Sequence, residues 1–237
     1  MDNASYTSLT RQAGLRKEMQ SIANNIANLS TTGFRKEGVV FAEHIKALDP
    51  ESESLSMAHA SVARTDFSQG ALKQTNGTFD LAIEGNGFFL VETEGGQRLS
   101  RGGAFLANSE GDLVTPDGAR VLDAGQAPIF VPPDALEISI GSDGTLSADG
   151  RPISQIGVFE PTETNSLSRE NGVRFSFEGD LRPQTESQVL QGFVEDSNVN
   201  PIIEVSRMIE VQRAYEQGQS FLEKEDERIR SVLRTLG

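Results

Sequence analysis

Residues 15–29 read LRKEMQSIANNIANL, and the placement of their apolar side chains decides the architecture. Leu15, Met19, Ile22, Ile26 and Leu29 fall at alternating four- and three-residue steps. That spacing puts five apolar side chains on one helix face, the seam of a coiled-coil-like pair. Ala23 and Ala27 flank the seam and permit close approach. From Ser5 to Asn28 there is no Pro and a single Gly, Gly14. Asp2, Asn3 and Ser5 are candidate N-caps, and Ser30-Thr31-Thr32-Gly33 predicts the stop. About 24 helical residues span ~36 Å.

The other end of the chain carries a matching pattern. Asn200-Pro201 reads as an N-cap followed by Pro at the first helical position. Glu204 lies in the first turn, where it complements the helix dipole. No Pro follows as far as Leu236. Met208, Val211, Tyr215, Leu222, Ile229, Val232 and Leu236 repeat the three/four spacing, with Gly218 and Glu225 as gaps. Arg207, Glu210, Arg213 and Glu216 alternate in sign along another face, and Asp226 and Arg230 form an i,i+4 pair. Such pairs suit a solvated face as well as an ion-paired contact between subunits. Helices of this kind are held by burial of the apolar face rather than by propensity. The two seams therefore point to each other, to copies of themselves, or to both; docking on the central domain is the plainer alternative.

Between these ends the signal changes to strands and turns. Asp80–Glu84 and Gly87–Glu92 read as alternating strands. Further strand candidates are 112–115, 120–122, 129–131, 137–140, 153–159 and 173–177. Asn76-Gly77, Asp117-Gly118, Asp143-Gly144 and Asp149-Gly150 punctuate them. The fold class is therefore α+β: long N- and C-terminal helices packing as a coiled-coil-like pair, with a central antiparallel β-rich domain. The predicted division is an N-terminal assembly helix at 1–35, a connector at 36–75, a β-rich outer domain at 76–190, and a C-terminal assembly helix with its lead-in at 191–237. Val39–Ile45 fits either a short helix or a strand, and residues 49–56 read as an exposed loop.

Composition supports this division. Of 237 residues, 36% are hydrophobic, with no Trp and two Tyr. That is lean for one large core, and it suits a modest folded middle with ends that find burial elsewhere. The net charge of −14 resides in residues 51–200, while the two ends are close to neutral. Ends that pack on neighbouring copies avoid mutual repulsion; a solvated middle tolerates charge. The acidity argues against nucleic acid. No apolar run approaches the ~18 residues of a membrane span, and no leader-like segment opens the sequence.

Reactive sites are sparse. The absence of Cys removes disulfides and thiolate metal sites. His44 and His59 are fifteen positions apart and read as surface residues. Gly85-Asn86-Gly87 is followed by the strand-like Phe88–Val91 rather than a helix, so Gly85 and Gly87 read as a hairpin-like turn and not a phosphate loop. Asp143–Gly150 lacks the ligand spacing of a calcium loop and reads as two turns bracketing a four-residue strand. No cofactor, metal or catalytic residue is expected.

The same blocks, taken in order, resemble the flagellar rod and hook family of axial proteins. Ala23–Asn28 with Thr32-Gly33-Phe34-Arg35 resembles the family's N-terminal signature. Asp66–Leu72, Asp80–Phe89 and Ser100–Phe105 resemble its central blocks, the last with Ser100 where Thr is usual. Gln191–Val199 and Ile209–Glu216 resemble its C-terminal blocks, with Val194 in place of Leu. The start Met1-Asp2 with Tyr6, and the modest length, are most similar to the proximal-rod branch; the distal-rod branch is the alternative.

The resemblance implies a structural subunit, not an enzyme, that polymerises through its end helices into a hollow, torque-transmitting shaft with the β domain outside. It also implies export without a cleaved leader by the flagellar type III apparatus and assembly in the periplasmic space. The implied partners are copies of the chain and other proximal and distal rod proteins. The implied assembly residues are Leu15, Met19, Ile22, Asn24, Asn25, Ile26, Asn28, Leu29, Gly33, Phe34, Ser197, Asn198, Val199, Met208, Val211, Tyr215, Leu222, Ile229 and Val232. Gly33 is expected to end the first helix, and Asn24, Asn25 and Asn28 to bind backbone or neighbouring subunits. The ends are expected to order when docking buries their seams. A coiled-coil-ended surface binding module is the reading from a different class. A polysaccharide-acting enzyme would need a deep acidic cleft with a raised carboxyl pKa.

Overall fold

The computed structural model describes residues 2–46, 55–163 and 167–236. The loop expected over 49–56 lies outside these residues except for Leu55 and Ser56, and the side chains of His44, His59 and Leu236 lie outside the description as well. The chain divides into two compact units. A helical unit comprises Met1–Leu29, Lys36–Phe67 and Val199–Gly237; a β unit comprises Ser30–Arg35 and Ser68–Asn198.

The helical unit contains helix α1 (Asp2–Ala27), strands β1 (Glu37–Lys46) and β2 (Leu55–Thr65), and helix α2 (Pro201–Leu236). Polar contacts set the helices antiparallel: Asn25 meets Glu204, Glu18 meets Arg207, and Gln12 donates to the Tyr215 carbonyl. Leu15, Ile22 and Val211 are buried between them, with Met19, Ile26, Met208, Ala214 and Tyr215 packed alongside. α2 begins as its sequence predicts. The Asn200 side chain accepts from the N–H groups of Ile202 and Ile203 at 3.1 and 3.3 Å, filling two donors that a helix start leaves without partners. β1 and β2 form an antiparallel hairpin, Glu37 opposite Thr65, with an irregularity between Val40 and Phe41. The run 39–45, open to helix or strand in the sequence, is thus strand; its β-branched residues suit a pleated surface.

The end of α1 departs from expectation. The helix stops at Ala27, six residues before Gly33. The Asn28 side chain turns back to donate to the Asn24 carbonyl at 2.9 Å, and so caps the last turn locally. Gly33 has another task in the β unit, described below.

The β unit opens with β3 (Leu72–Gln74), β4 (Leu81–Glu84), β5 (Phe88–Thr93), β6 (Gly96–Ser100), β7 (Leu106–Ala107), β8 (Leu113–Val114) and β9 (Arg120–Val121). β10 (Ile138–Ile140), β11 (Thr145–Ala148), β12 (Arg151–Gln155) and β13 (Val158–Pro161) follow. β14 (Ser168–Asn171), β15 (Arg174–Ser176), β16 (Leu181–Pro183), β17 (Gln188–Gln191) and β18 (Phe193–Glu195) complete it. The largest sheet runs β14-β15-β6-β5-β9-β8-β7, and β13 joins β5 to β16. β10-β11-β12 form a separate meander; β17 pairs with β4 and β18 with β3. These pairings are antiparallel. β11 is the four-residue strand expected between the Asp143-Gly144 and Asp149-Gly150 turns.

Two local expectations fail. Leu81, Ala82 and Ile83 are all buried, as are Phe88, Phe89, Leu90 and Val91, so neither strand alternates. β5 pairs with β6, β9 and β13, and both its faces are covered; a strand so placed reads as a continuous apolar run. Gly85-Asn86-Gly87 is not a hairpin turn either. β4 pairs with β17 while β5 pairs with β6, so these residues carry the chain between two pairings. Their φ values of +106° and +99° suit residues without a Cβ.

Candidate assembly interface

Within the helical unit the helices meet at a polar hub as well as a seam. Asn25 and Glu204 are buried. The Asn25 amide donates to Glu204 Oε2 at 3.0 Å and to the Glu37 carbonyl at 2.7 Å, and its oxygen accepts from the Glu37 N–H at 2.9 Å. Lys36 Nζ lies 2.5 Å from Glu204 Oε1. One asparagine therefore ties α1 to α2 and to the start of β1, and Lys36 neutralises the carboxylate that α2 brings. Seven residues further along α2 from Glu204, Val211 enters the seam. Removing Asn25 leaves buried groups short of partners. Asn25→Ala is expected to destabilise the unit by about 2 kcal/mol, read as a lower urea midpoint for loss of helical circular dichroism. Asn25→Asp is expected to cost more, because a second carboxylate then faces Glu204.

The β unit holds a second buried cluster. Glu195 of β18 pairs with Arg35, and its Oε2 lies 3.6 Å from Arg101 Nε. All three side chains are under 5% exposed. Glu195 Oε1 also accepts from the Gly70 N–H at 2.8 Å. Arg35 donates to the Ser68 carbonyl at 2.6 Å, and Arg101 to the Gly85 carbonyl at 2.5 Å. Burial pushes the Arg101 pKa down to about 10, opposed by Glu195 and assisted by neighbouring Arg35. The guanidinium still carries its charge at neutral pH, so two cations share one carboxylate, helped by backbone carbonyls. Phe34 is buried beside them, with the Arg169 guanidinium 4.6 Å from its ring centroid.

This cluster explains why the sequence blocks have the residues they have. Gly33-Phe34-Arg35, Ser68–Gly70, Ile83–Gly85, Arg101 and Glu195 come from five separate stretches and meet around one buried ion cluster: Arg35, Arg101 and the Gly70 N–H face the Glu195 carboxylate, while the Ser68, Ile83 and Gly85 carbonyls accept from the two arginines. Gly33 donates its N–H to the Glu195 carbonyl at 2.7 Å. Its φ is +71°, and a Cβ there would lie 2.2 Å from the Arg101 carbonyl carbon. Gly33 thus permits a close backbone crossing.

The structure distributes the expected assembly residues unevenly. Leu15, Ile22 and Val211 are buried, and Met19, Ile26, Met208 and Tyr215 are half-buried against them. Leu29 and Leu222 are half-buried, whereas Ile229 and Val232 are exposed. Asn25 is buried, Asn24 is exposed, and Asn28 bonds back to Asn24. In the β unit Ser197 is half-buried, and Asn198 donates to the Ser68 carbonyl at 2.9 Å. Val199, which begins the third segment of the helical unit, is buried. Of the partners open to the two seams, the structure shows each other: the Leu15–Ile26 and Met208–Tyr215 portions cover each other within this chain, so this part of the seams does not wait for docking to be buried.

Sequence reasoning missed the charged members. Arg35, Arg101 and Glu195 lie inside the quoted blocks yet were expected to serve no site, and Glu204 reads only as a dipole partner. The available signal was an ionic residue embedded in an otherwise apolar or small-residue block, which is costly to bury unless paired.

Three family models match the chain. One described as flagella basal body rod protein matches residues 6–35. One for the flagellar hook protein FlgE/F/G D1 domain matches 82–148, and one for the flagellar basal body rod FlgEFG protein C-terminal region matches 190–235. A flagellar basal-body rod protein FlgF of Caulobacter vibrioides is 40% identical over all of this chain and 99% of its own length. The FlgF protein of Mesorhizobium japonicum is 34% identical over 100% of this chain and 99% of its own. A flagellar basal-body rod protein FlgG of Bacillus subtilis is 30% identical, over 96% and 97%.

Proposed function

The chain belongs to the flagellar basal-body rod protein family, and we propose that it is a proximal-rod subunit that assembles through its terminal helices. Among the relatives compared it is most like FlgF, with which it shares its full length. It is a structural component of the flagellar basal body, and its partners are other rod and axial subunits. Its action is assembly and not catalysis. Export without leader cleavage through the flagellar type III apparatus, and assembly in the periplasmic space, complete the reading.

One observation carries the assembly role. α2 keeps large apolar side chains in solvent along its length: Ile202, Ile203, Val205, Ile209, Phe221, Val232 and Leu233 are each at least 45% exposed. So many large apolar side chains left in solvent on one helix suit contact with neighbouring chains. The antiparallel α1–α2 pair presents them, and continuation of its seam into coiled-coil-like contacts with neighbouring chains extends the pair into a tube. Contacts of this kind are heterologous, so the assembly grows rather than closes. A distal-rod role is the second reading, favoured by the FlgG likeness at 30% identity.

The test is deletion of the gene. Cells are expected to lose swimming, and their isolated basal bodies to stop before the proximal rod is complete, with recovery on re-expression. Swimming cells with complete rods would overturn the assignment.

A further inference from the structure

The chain contains three Asn-Gly bonds, at 76–77, 86–87 and 171–172. At such bonds asparagine loses its amide most readily without an enzyme, because glycine offers the least hindered backbone nitrogen. The structure separates them. The side chain of Asn171 lies outside the description. Asn76 is tied down: its N–H donates to the Gly192 carbonyl at 3.0 Å, its side-chain oxygen accepts from Gln74 at 2.9 Å, and the Gly77 N–H donates to the Thr75 hydroxyl at 3.3 Å. The Asp80 carboxylate also lies against Gly77, 2.5 Å from where a Cβ would stand, and it opposes negative charge there.

Asn86 is placed differently. It is exposed. Among the described residues nothing bonds to its side-chain amide, and nothing accepts the Gly87 N–H. The preceding residue is fixed: Gly85 donates to Gln69 Oε1 at 3.2 Å, and its carbonyl accepts from Arg101 at 2.5 Å. The Asn86 carbonyl accepts from the Ser187 hydroxyl at 2.6 Å. That carbonyl belongs to the same peptide group as the Gly87 nitrogen. A donor on the oxygen stabilises the amide anion that forms when the nitrogen loses its proton, and the nearby guanidinium acts in the same sense. The Asp-Gly turns at 143–144 and 149–150 lack this freedom. The Asp143 carboxylate accepts from Thr145, and that of Asp149 from the Leu136 and Glu137 N–H groups.

We propose that Asn86 is a site of spontaneous deamidation, with the Gly87 nitrogen as nucleophile and Ser187 as the donor that activates it. Solvent base takes the Gly87 amide proton. The nitrogen attacks Asn86 Cγ; the N–Cγ bond forms, the Cγ–Nδ2 bond breaks, and ammonia leaves. Water then opens the cyclic imide. Opening at Cγ gives aspartate; opening at the backbone carbonyl gives isoaspartate, whose main chain is one carbon longer. Water is the only co-reactant. Either product sets a new carboxylate one residue from the carbonyl that Arg101 holds, beside the site where two cations share one buried carboxylate. Isoaspartate also lengthens the link between β4 and β5. Gly87 is buried, so the bend opens locally before the ring closes, and conversion is slower than in the unfolded chain. The modification dates a subunit and acts on its Arg35–Arg101–Glu195 site.

Peptide mapping of the full chain tests it. The protein is held at neutral pH and digested with trypsin beside a control that was not held. Residues 74–98 lie between consecutive cleavage sites, so one peptide contains both Asn76 and Asn86, and its fragment ions assign the amide-to-acid mass change. Conversion is expected mainly at Asn86, with isoaspartate read by methyl transfer from a protein isoaspartate methyltransferase. Ser187→Ala is expected to slow it about fivefold, because a hydrogen bond to a charged group is stronger than one to a neutral group. In urea, Asn76 and Asn86 are expected to convert at similar rates. Conversion at Asn76 equal to or above that at Asn86 in the folded chain, or none at Asn86, overturns the site. A folded S187A variant that converts at the parent rate overturns the part given to Ser187. The urea comparison needs no variant: an Asn86-to-Asn76 ratio that unfolding leaves unchanged overturns the selection of this bond by the fold.

Discussion

Replacing Glu195 by alanine is expected to destabilise the β unit by about 3–5 kcal/mol, the usual cost of removing one partner from a buried ion pair. The magnitude follows from what is left behind. Arg35 and Arg101 are 1% and 4% exposed, and neither can move to water without unpacking its surroundings. Without the carboxylate, two guanidiniums share a low-dielectric pocket with carbonyl oxygens and the Phe88 ring, which lies 5.7 Å from Arg101 Cζ. The Gly70 N–H also loses its acceptor. Urea unfolding followed by circular dichroism measures the effect. Replacing Arg35, Arg101 and Glu195 together by methionine is expected to cost less than the single loss, because no charge then remains buried. A single-variant loss below about 1 kcal/mol, the worth of an exposed pair, would show that water reaches the cluster.

Gly33→Ala is expected to cost about 3 kcal/mol, from a positive φ and from overpacking. The residue has φ +71°, and the added Cβ would meet the Arg101 carbonyl carbon at 2.2 Å and the Gly102 nitrogen at 2.3 Å. Backbone cannot rotate away as a side chain can. The crossing must open, and the Gly33–Glu195 bond at 2.7 Å opens with it. Gly118→Ala isolates the first contribution. Gly118 has φ +88° with nothing within 4 Å of its Cβ position, so it is expected to cost only about 1–2 kcal/mol. The difference between the two midpoints measures the clash. Equal losses would mean that the close crossing does not constrain the fold.

Much of the architecture was legible because periodicity is a local property. The steps from Leu15 to Ile26 and from Met208 to Tyr215 identify helices with one apolar face, whatever they pack against. Asn200-Pro201 marks a start, since cap chemistry involves only the first turn. Turn pairs such as Asp143-Gly144 locate strand ends for the same reason. Strand pairing was not legible. Nothing in Asp80–Glu92 distinguishes a hairpin from a crossing between pairings, and the continuous burial of Phe88–Val91 depends on β6, β9 and β13 arriving from distant parts of the chain.

The sequence alone determined two amphipathic terminal helices, an antiparallel β-rich middle, and the confinement of net charge to that middle, because each follows from residue types at short spacing. Tertiary structure decided which seam residues are covered within the chain and which face outward. It also decided that Arg35, Arg101 and Glu195 share one buried site, and that Asn25 joins helix to helix. The reason is physical: burial and charge pairing are set by groups far apart in sequence, whose approach only the folded backbone fixes.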